Sequence, residues 1–151
     1  MMGNGKRRVV VTGMGAVTPI GIGVNNYWEN LIAGKSGIST ITLFDPANLE
    51  SRIAGEVKNF DPVDYMDKSE VRRNDRFTQF VIVASDEALK DSGLDLGKID
   101  RYRAGVIIGS GIGGLQTLMD QHRVYLEKGP KRVSPFLITM MIPNMASDSF
   151  R

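Results

Sequence analysis

The hydrophobic and polar positions of this chain fall into blocks of changing period. "RRVVVTGMG" (Arg7 to Gly15) is a continuous β-branched run closed by glycines, the pattern of a strand covered on both faces that ends in a turn. "NNYWENLIAGKSG" switches to helical spacing. Asn25 or Asn26 is placed to cap it, Tyr27 and Leu31 face inward with Trp28 beside them, and Gly34 marks the stop. "AGEVKNF" reads as a short strand. The clearest helical signal spans Asp75 to Asp91, where Phe77, Val81, Ala84 and Ala88 recur on one face with Phe80 and Leu89 next to them, and Gly93 supplies the C-terminal cap. "AGVIIGS" is a second β-branched run. "GLQTLMDQHRVYLEKG" follows as a helix with Leu115, Leu118, Met119 and Leu126 on its apolar side. After Pro130 the chain turns apolar, in "SPFLITMMIPNMASDSF". Strands alternating with helices predict an α/β layered sheet.

Between the second run and its helix, Gly109, Gly111 and Gly114 match G-x-G-x-x-G, the spacing with which a backbone closes on a pyrophosphate. That use requires a further strand ending in an acid about twenty residues on. Glu127 stands near that distance but at a helix end, and the "KGPKRVSP" behind it carries prolines that oppose a central strand. The first run's turn, "GMGAVTPIG", has Thr18 where a third glycine belongs. The spacing therefore favours packing over dinucleotide binding. Gly109, Gly111, Gly113 and Gly114 permit a tight strand-to-helix turn and the close approach of another segment. Ile112, an isolated branched side chain among them, can then point into a cavity.

The 151 residues have the length of one domain or of a piece of a larger one. Nineteen basic against seventeen acidic residues leave a net charge of +2, too little to argue for a nucleic-acid partner. No apolar run approaches the ~20 residues of a membrane span. "VVV" breaks at Thr12, too short for a signal-peptide core, so the cytoplasm is the default location. Cysteine is absent and His122 is the single histidine, which excludes disulfides, thiolate or His-rich metal sites and a cysteine nucleophile within these residues. His122 lies mid-helix near Asp120 and Arg123 and reads as a solvated surface residue. No metal or cofactor is expected. In "DKSEVRRNDRF", Lys68, Arg72 and Arg73 fall at i, i+4 and i+5 and so present one positive edge. Taken alone, such a run is a solvated helix start.

"RRVVVTGMGAVTPIG", "GKSGI", "RIAGEV", "RNDRFTQF", "GVIIGSGIGGL" and "SPFLITMMIPNMAS" occur together in the order and spacing of one family. The chain resembles the N-terminal portion of the β-ketoacyl-acyl-carrier-protein synthase II family, the elongating condensing enzymes of bacterial-type fatty-acid synthesis. The resemblance implies an α/β, thiolase-like fold with a mixed sheet flanked by helices. Residues 1–151 would form an incomplete half-domain, the N-terminal half of a duplicated fold, in a homodimer. It implies a decarboxylative Claisen condensation between an acyl group on a cysteine and malonyl-acyl-carrier protein, with two histidines and backbone amides stabilising charge on oxygen. The family's cysteine lies a short distance beyond the "NMAS" helix and its histidines in the second half of its chain. No catalytic residue is therefore assigned, and the chain alone is expected to be inactive.

Six residues carry over by position. Ile112 matches the gate of the acyl pocket. Phe136 and Leu137 match a pair that is commonly Phe-Phe and reaches toward the partner subunit's acyl pocket. Lys68, Arg72 and Arg73 match part of the site for acyl carrier protein, an acidic helical bundle whose docking a basic cluster would steer. Thr139, by contrast, stands where similar sequences often have proline. The implied partners are that protein and its acyl and malonyl thioesters, with no nucleic acid and no membrane. Two other readings stay open: a non-catalytic condensing-enzyme-like subunit that sets chain length, and, more remotely, a dinucleotide-binding domain.

Overall fold

The computed structural model describes residues 7–149; the extreme ends of the 1–151 unit, Phe150 among them, lie outside the described residues. The architecture is mixed α/β. A tight antiparallel hairpin pairs β1 (Val17–Thr18) with β2 (Gly21–Ile22), Val17 opposite Ile22. Helix α1 (Val24–Ile32) follows at once. A second antiparallel pair joins β3 (Ile38–Thr40) to β4 (Ile53–Gly55), with Ser39 opposite Ala54. Then come the single turn α2 (Lys68–Val71), the long helix α3 (Arg76–Ser92), α4 (Leu115–Lys128), and the short helices α5 (Leu137–Met141) and α6 (Met145–Asp148).

α3 forms where its periodicity places it. Asp75 caps it by accepting from the Phe77 N–H at 3.3 Å, and Gly93 ends it in the left-handed conformation at φ 63°. Its most buried positions are Thr78, Gln79 and Val83 rather than the Phe77–Val81 face, because neighbours cover it on several sides. The core gathers where α3 meets the chain around Phe60: Phe60, Met66 and Val83 are buried, with Val17, Ile22, Val57, Val71, Phe80 and Ile82 against them. Phe60 meets Phe80 edge-on at 4.9 Å, and the Arg76 guanidinium lies over both rings while donating to the Val57 carbonyl at 2.9 Å.

Two long-range carboxylates fasten the N-terminal third to α3. Glu87 accepts from the Ala16 N–H at 2.9 Å and the Val24 N–H at 2.8 Å, and Asp91 accepts from the Met14 N–H at 2.9 Å. Glu87 thus serves α1 from another helix. Gly23 holds the N-cap position, not Asn25 or Asn26, which the sequence had offered as caps. The clamp needs Gly15: a Cβ there would lie 1.8 Å from the Ala84 carbonyl oxygen. Glu56, 8 % exposed, bridges the ends of the β3–β4 hairpin. It accepts from the Thr42 N–H and hydroxyl and from the Leu43 N–H. The Thr42 hydroxyl first, then the Thr42 amide, and with them the Leu43 amide and the Lys58 charge, hold its carboxyl below the usual value, against a smaller opposing effect of desolvation.

The layered sheet differs from the periodicity. Neither β-branched run forms a strand or finds a partner strand among the described residues, and the strands present form two separate two-stranded pairs. Val9 is 92 % exposed and Ile107 99 %. The apolar side of α4 is also uncovered, with Leu115, Leu118, Met119 and Leu126 all exposed and Thr117 alone buried. The chain presents 12001 Å² to solvent, whereas a self-sufficient domain of this mass presents about 7,600 Å². The difference, about 4,400 Å² on this chain alone, exceeds the roughly 1,000–2,500 Å² that one partner commonly gives to an obligate interface.

Candidate functional site

The glycine turn, the basic edge and the Phe136 segment are far apart in sequence and converge in the fold. From residue 110 the chain turns into α4. The Gly113 N–H donates to the Ser110 hydroxyl at 3.1 Å, and the Gly114 N–H donates to the Met141 carbonyl, at the end of α5, at 2.8 Å. A Cβ on Gly113 would stand 2.3 Å from the Met141 oxygen, and one on Gly114 would stand 2.4 Å from the Met140 oxygen. These two glycines are what lets α5 lie on the turn. Gly109 and Gly111 have open space around them.

Most of the amides around the start of α4 are committed to protein acceptors. Besides Gly113 and Gly114, the Leu115 N–H donates to the Gly113 carbonyl and the Thr117 N–H to Asp75 Oδ2. A pyrophosphate at this helix start would have to displace them, so the geometry disfavours the dinucleotide reading. Among the described residues no group of three or more His, Asp and Glu side chains could hold a metal ion. His122 is exposed on α4.

In the sequence Asp75 only marked the start of the α3 signal. In the fold it also caps a second helix, since its Oδ2 accepts from the Thr117 N–H at 3.1 Å and the Thr117 hydroxyl at 2.5 Å. α4 begins on Gly114, which has no side chain to cap it, and Asp75 caps it from 42 residues away. A helix opening on a bare glycine was the available sequence signal.

Helical geometry runs through α2 into Arg72, whose N–H donates to the Lys68 carbonyl at 3.3 Å, so Lys68 and Arg72 do share an edge. Arg73 turns toward α5, its guanidinium 5.6 Å from the centre of the Phe136 ring. Ser69, Arg72, Arg73 and Phe136 line one cavity of about 440 Å³. Lys68 is exposed and lies outside that lining. Leu137, the first residue of α5, is half-buried, and Ile112 is 68 % exposed at the tip of the turn. Arg72, Arg73 and Phe136 are therefore brought together directly. Ile112 is joined to them through the Gly113–Gly114 contact with α5.

Residues 6–149 match the β-ketoacyl synthase N-terminal domain. The chain belongs to this family. Among curated β-ketoacyl synthases it is 49% identical over 142 residues to the 3-oxoacyl-[acyl-carrier-protein] synthase 2 of Synechocystis sp., covering 94% of this chain and 34% of that protein. The Staphylococcus aureus (strain COL) protein of the same name is 51% identical over 141 residues, covering 93% and 34%. The chain thus spans about a third of the length of the curated relatives it matches. Among solved structures, the ishigamide ketosynthase/chain length factor superposes with a TM-score of 0.83 at 29% identity, over 95% of this chain and 36% of that one. The fold is the thiolase-like fold of the ketosynthases, of which this chain matches the N-terminal part.

Proposed function

We propose that these residues form the N-terminal part of a 3-oxoacyl-acyl-carrier-protein synthase that elongates fatty acids as a cytoplasmic homodimer. Family membership supports the reaction class, and the curated relatives carry that name. A solved ketosynthase at 29% identity is described in complex with the acyl-carrier protein of its type II polyketide synthase, which supports a carrier protein as partner.

In the proposed reaction a cysteine thiolate displaces carrier thiol from an acyl thioester. Malonyl-carrier protein then loses carbon dioxide. The electron pair of the broken bond forms a new carbon–carbon bond to the acyl carbonyl as the cysteine departs. With no cysteine in the sequence, that nucleophile belongs to residues other than these. The role of this part is to receive and to measure: Lys68, Arg72 and Arg73 meet the acidic carrier, Ile112 gates the acyl pocket, and Phe136 and Leu137 reach toward the acyl pocket of the partner subunit.

The single observation that carries this reading is the cavity in which Arg72 and Arg73 meet Phe136. Two cationic side chains beside an exposed aromatic ring support a surface that meets an acidic carrier next to an apolar contact. Replacing Arg72 and Arg73 with Glu in the complete enzyme tests it. Rates with carrier-bound substrates should fall about tenfold at low salt, the gap closing as salt rises. Small thioester analogues should react as before. Unchanged carrier-protein kinetics and salt dependence would reduce the cluster to a solvated face. The absence of cysteine equally fits a non-catalytic subunit that sets chain length; the residue at the nucleophile position of the complete protein decides between the two.

A further inference from the structure

We infer that Asp75 is a positioning residue that locks the turn carrying Ile112 against the segment carrying Phe136 and Leu137. The inference rests on the pocket-wall reading proposed above. Asp75 is 7 % exposed, and its two carboxylate oxygens serve different helices: Oδ1 accepts from Phe77 at the start of α3, and Oδ2 accepts from the Thr117 amide and hydroxyl at the start of α4. One negative charge thereby complements the positive ends of a 17-residue and a 14-residue helix.

A cap for α3 alone would engage only its own first turn. The Thr117 hydroxyl, on a residue 9 % exposed, spends its hydrogen bond on this carboxylate. Gly114 completes the joint. A Cβ there would be 3.0 Å from Asp75 Oδ2 and 2.4 Å from the Met140 oxygen, so the turn is held between Asp75 and α5 with no room for a side chain.

Among the described residues, the turn upstream is held by the hydrogen bond from the Gly113 N–H to the Ser110 hydroxyl and by little else. A Cβ on Gly109 or Gly111 would meet nothing within 4 Å, and Ile112 is exposed. The position of Ile112 is therefore set from the Gly113–Thr117 joint. Two residues before Asp75, Arg73 covers the Phe136 ring. The same short segment that fixes the turn thus also touches Phe136, which by the resemblance reaches toward the partner subunit's acyl pocket. A loosened joint leaves Ile112 free to swing away, which opens the pocket to longer chains.

The test compares acyl primers of two lengths in the complete synthase, reading kcat/KM for each. Thr117→Val removes the hydroxyl at nearly constant volume, Thr117→Ser keeps it, and Asp75→Asn removes the charge. Thr117→Val and Asp75→Asn should raise the long-to-short ratio about fivefold, the weight of one hydrogen bond, and Thr117→Ser should stay near the parent ratio. If Asp75→Asn fails to fold, the Thr117 pair decides alone. An unchanged ratio in Thr117→Val, or one moved toward short primers, overturns the inference. Ile112→Phe, assayed alongside, reads the pocket wall by itself and should lower the ratio. If it does not, the pocket-wall reading fails; if it does while Thr117→Val leaves the ratio unmoved, only the role of Asp75 fails.

Discussion

Replacing the four turn glycines one at a time with alanine should split them into two opposite classes. In Gly114→Ala the new methyl carbon would lie 2.4 Å from the Met140 oxygen and 3.0 Å from both the Met141 Cα and Asp75 Oδ2. Ordinary contact begins near 3.4 Å, so the backbone of α5 must retreat by most of an ångström, and neither it nor the buried carboxylate is the free end of a flexible side chain. Overpacking of this kind costs about 1–3 kcal/mol. Gly113→Ala meets the Met141 oxygen at 2.3 Å and also sits at φ 86°, which adds roughly 1–2 kcal/mol of backbone strain. Gly109 and Gly111 have nothing within 4 Å and no positive φ. Alanine there should stabilise by about 0.4–1 kcal/mol, through the loss of freedom in the unfolded chain.

For a domain of this size, 1 kcal/mol moves Tm by about 2–4 °C. Gly114→Ala should therefore melt about 2–12 °C below the parent, Gly113→Ala lower still, and Gly109→Ala and Gly111→Ala about 1–4 °C above it. Thermal unfolding followed by circular dichroism, at one fixed chain concentration, measures all four. A Gly109→Ala or Gly111→Ala loss as large as that of Gly114→Ala would refute the reasoning, since it would mean that an opposing surface presses on the first half of the turn as well.

Three further outcomes are expected. The 151-residue chain should form no product from acyl- and malonyl-carrier protein, because the condensation needs a cysteine that these residues lack; product from this chain alone would sink the assignment of roles. The chain by itself should associate and bind a hydrophobic dye, given its excess of about 4,400 Å²; a dye-silent monomer across a concentration series would refute this. Glu56 titrates lower in the fold than its ordinary 4.5, so its stabilisation is fully present above pH 4.5 and is lost as pH falls through the folded value. Glu56→Gln should flatten that part of the acid-unfolding curve, and an unaltered pH dependence would show that the bridge to Thr42 and Leu43 carries no such stabilisation.

What could be read from the sequence was what neighbours in sequence determine. α3 starts at Asp75 and stops at Gly93 because a side-chain cap and a left-handed glycine act within a turn of themselves. The close approach at Gly113 and Gly114 was legible too, since only a missing side chain permits it. The second bond of Asp75, to Thr117, and the Glu87 clamp on Ala16 and Val24 span 42, 71 and 63 residues. No local period encodes such a distance. Asn25 and Asn26 were suitable capping types, yet the helix begins upstream of both, at Val24, whose amide a carboxylate from α3 takes. Phe136 beside Arg73 was invisible for the same reason: the two belong to different motifs until the chain is folded.

The β-branched runs are the instructive difference. A strand covered on both faces is written in its side chains, while its hydrogen-bond partners are written elsewhere, and the two kinds of information need not lie in the same stretch of chain. Val9, Val10 and Val11 have the composition of a buried strand and the exposure of a surface, as does Ile107. Burying such side chains stabilises by about 25 cal/mol per Å² of apolar surface, so leaving them in water forgoes what their composition is suited to supply. Composition and exposure agree only if further protein covers these segments. The uncovered side of α4 points the same way, and so does the total exposed area. The site follows suit: charge, aromatic ring and glycine joint are set by contacts inside these residues, whereas the wall that Ile112 would close needs an opposite wall.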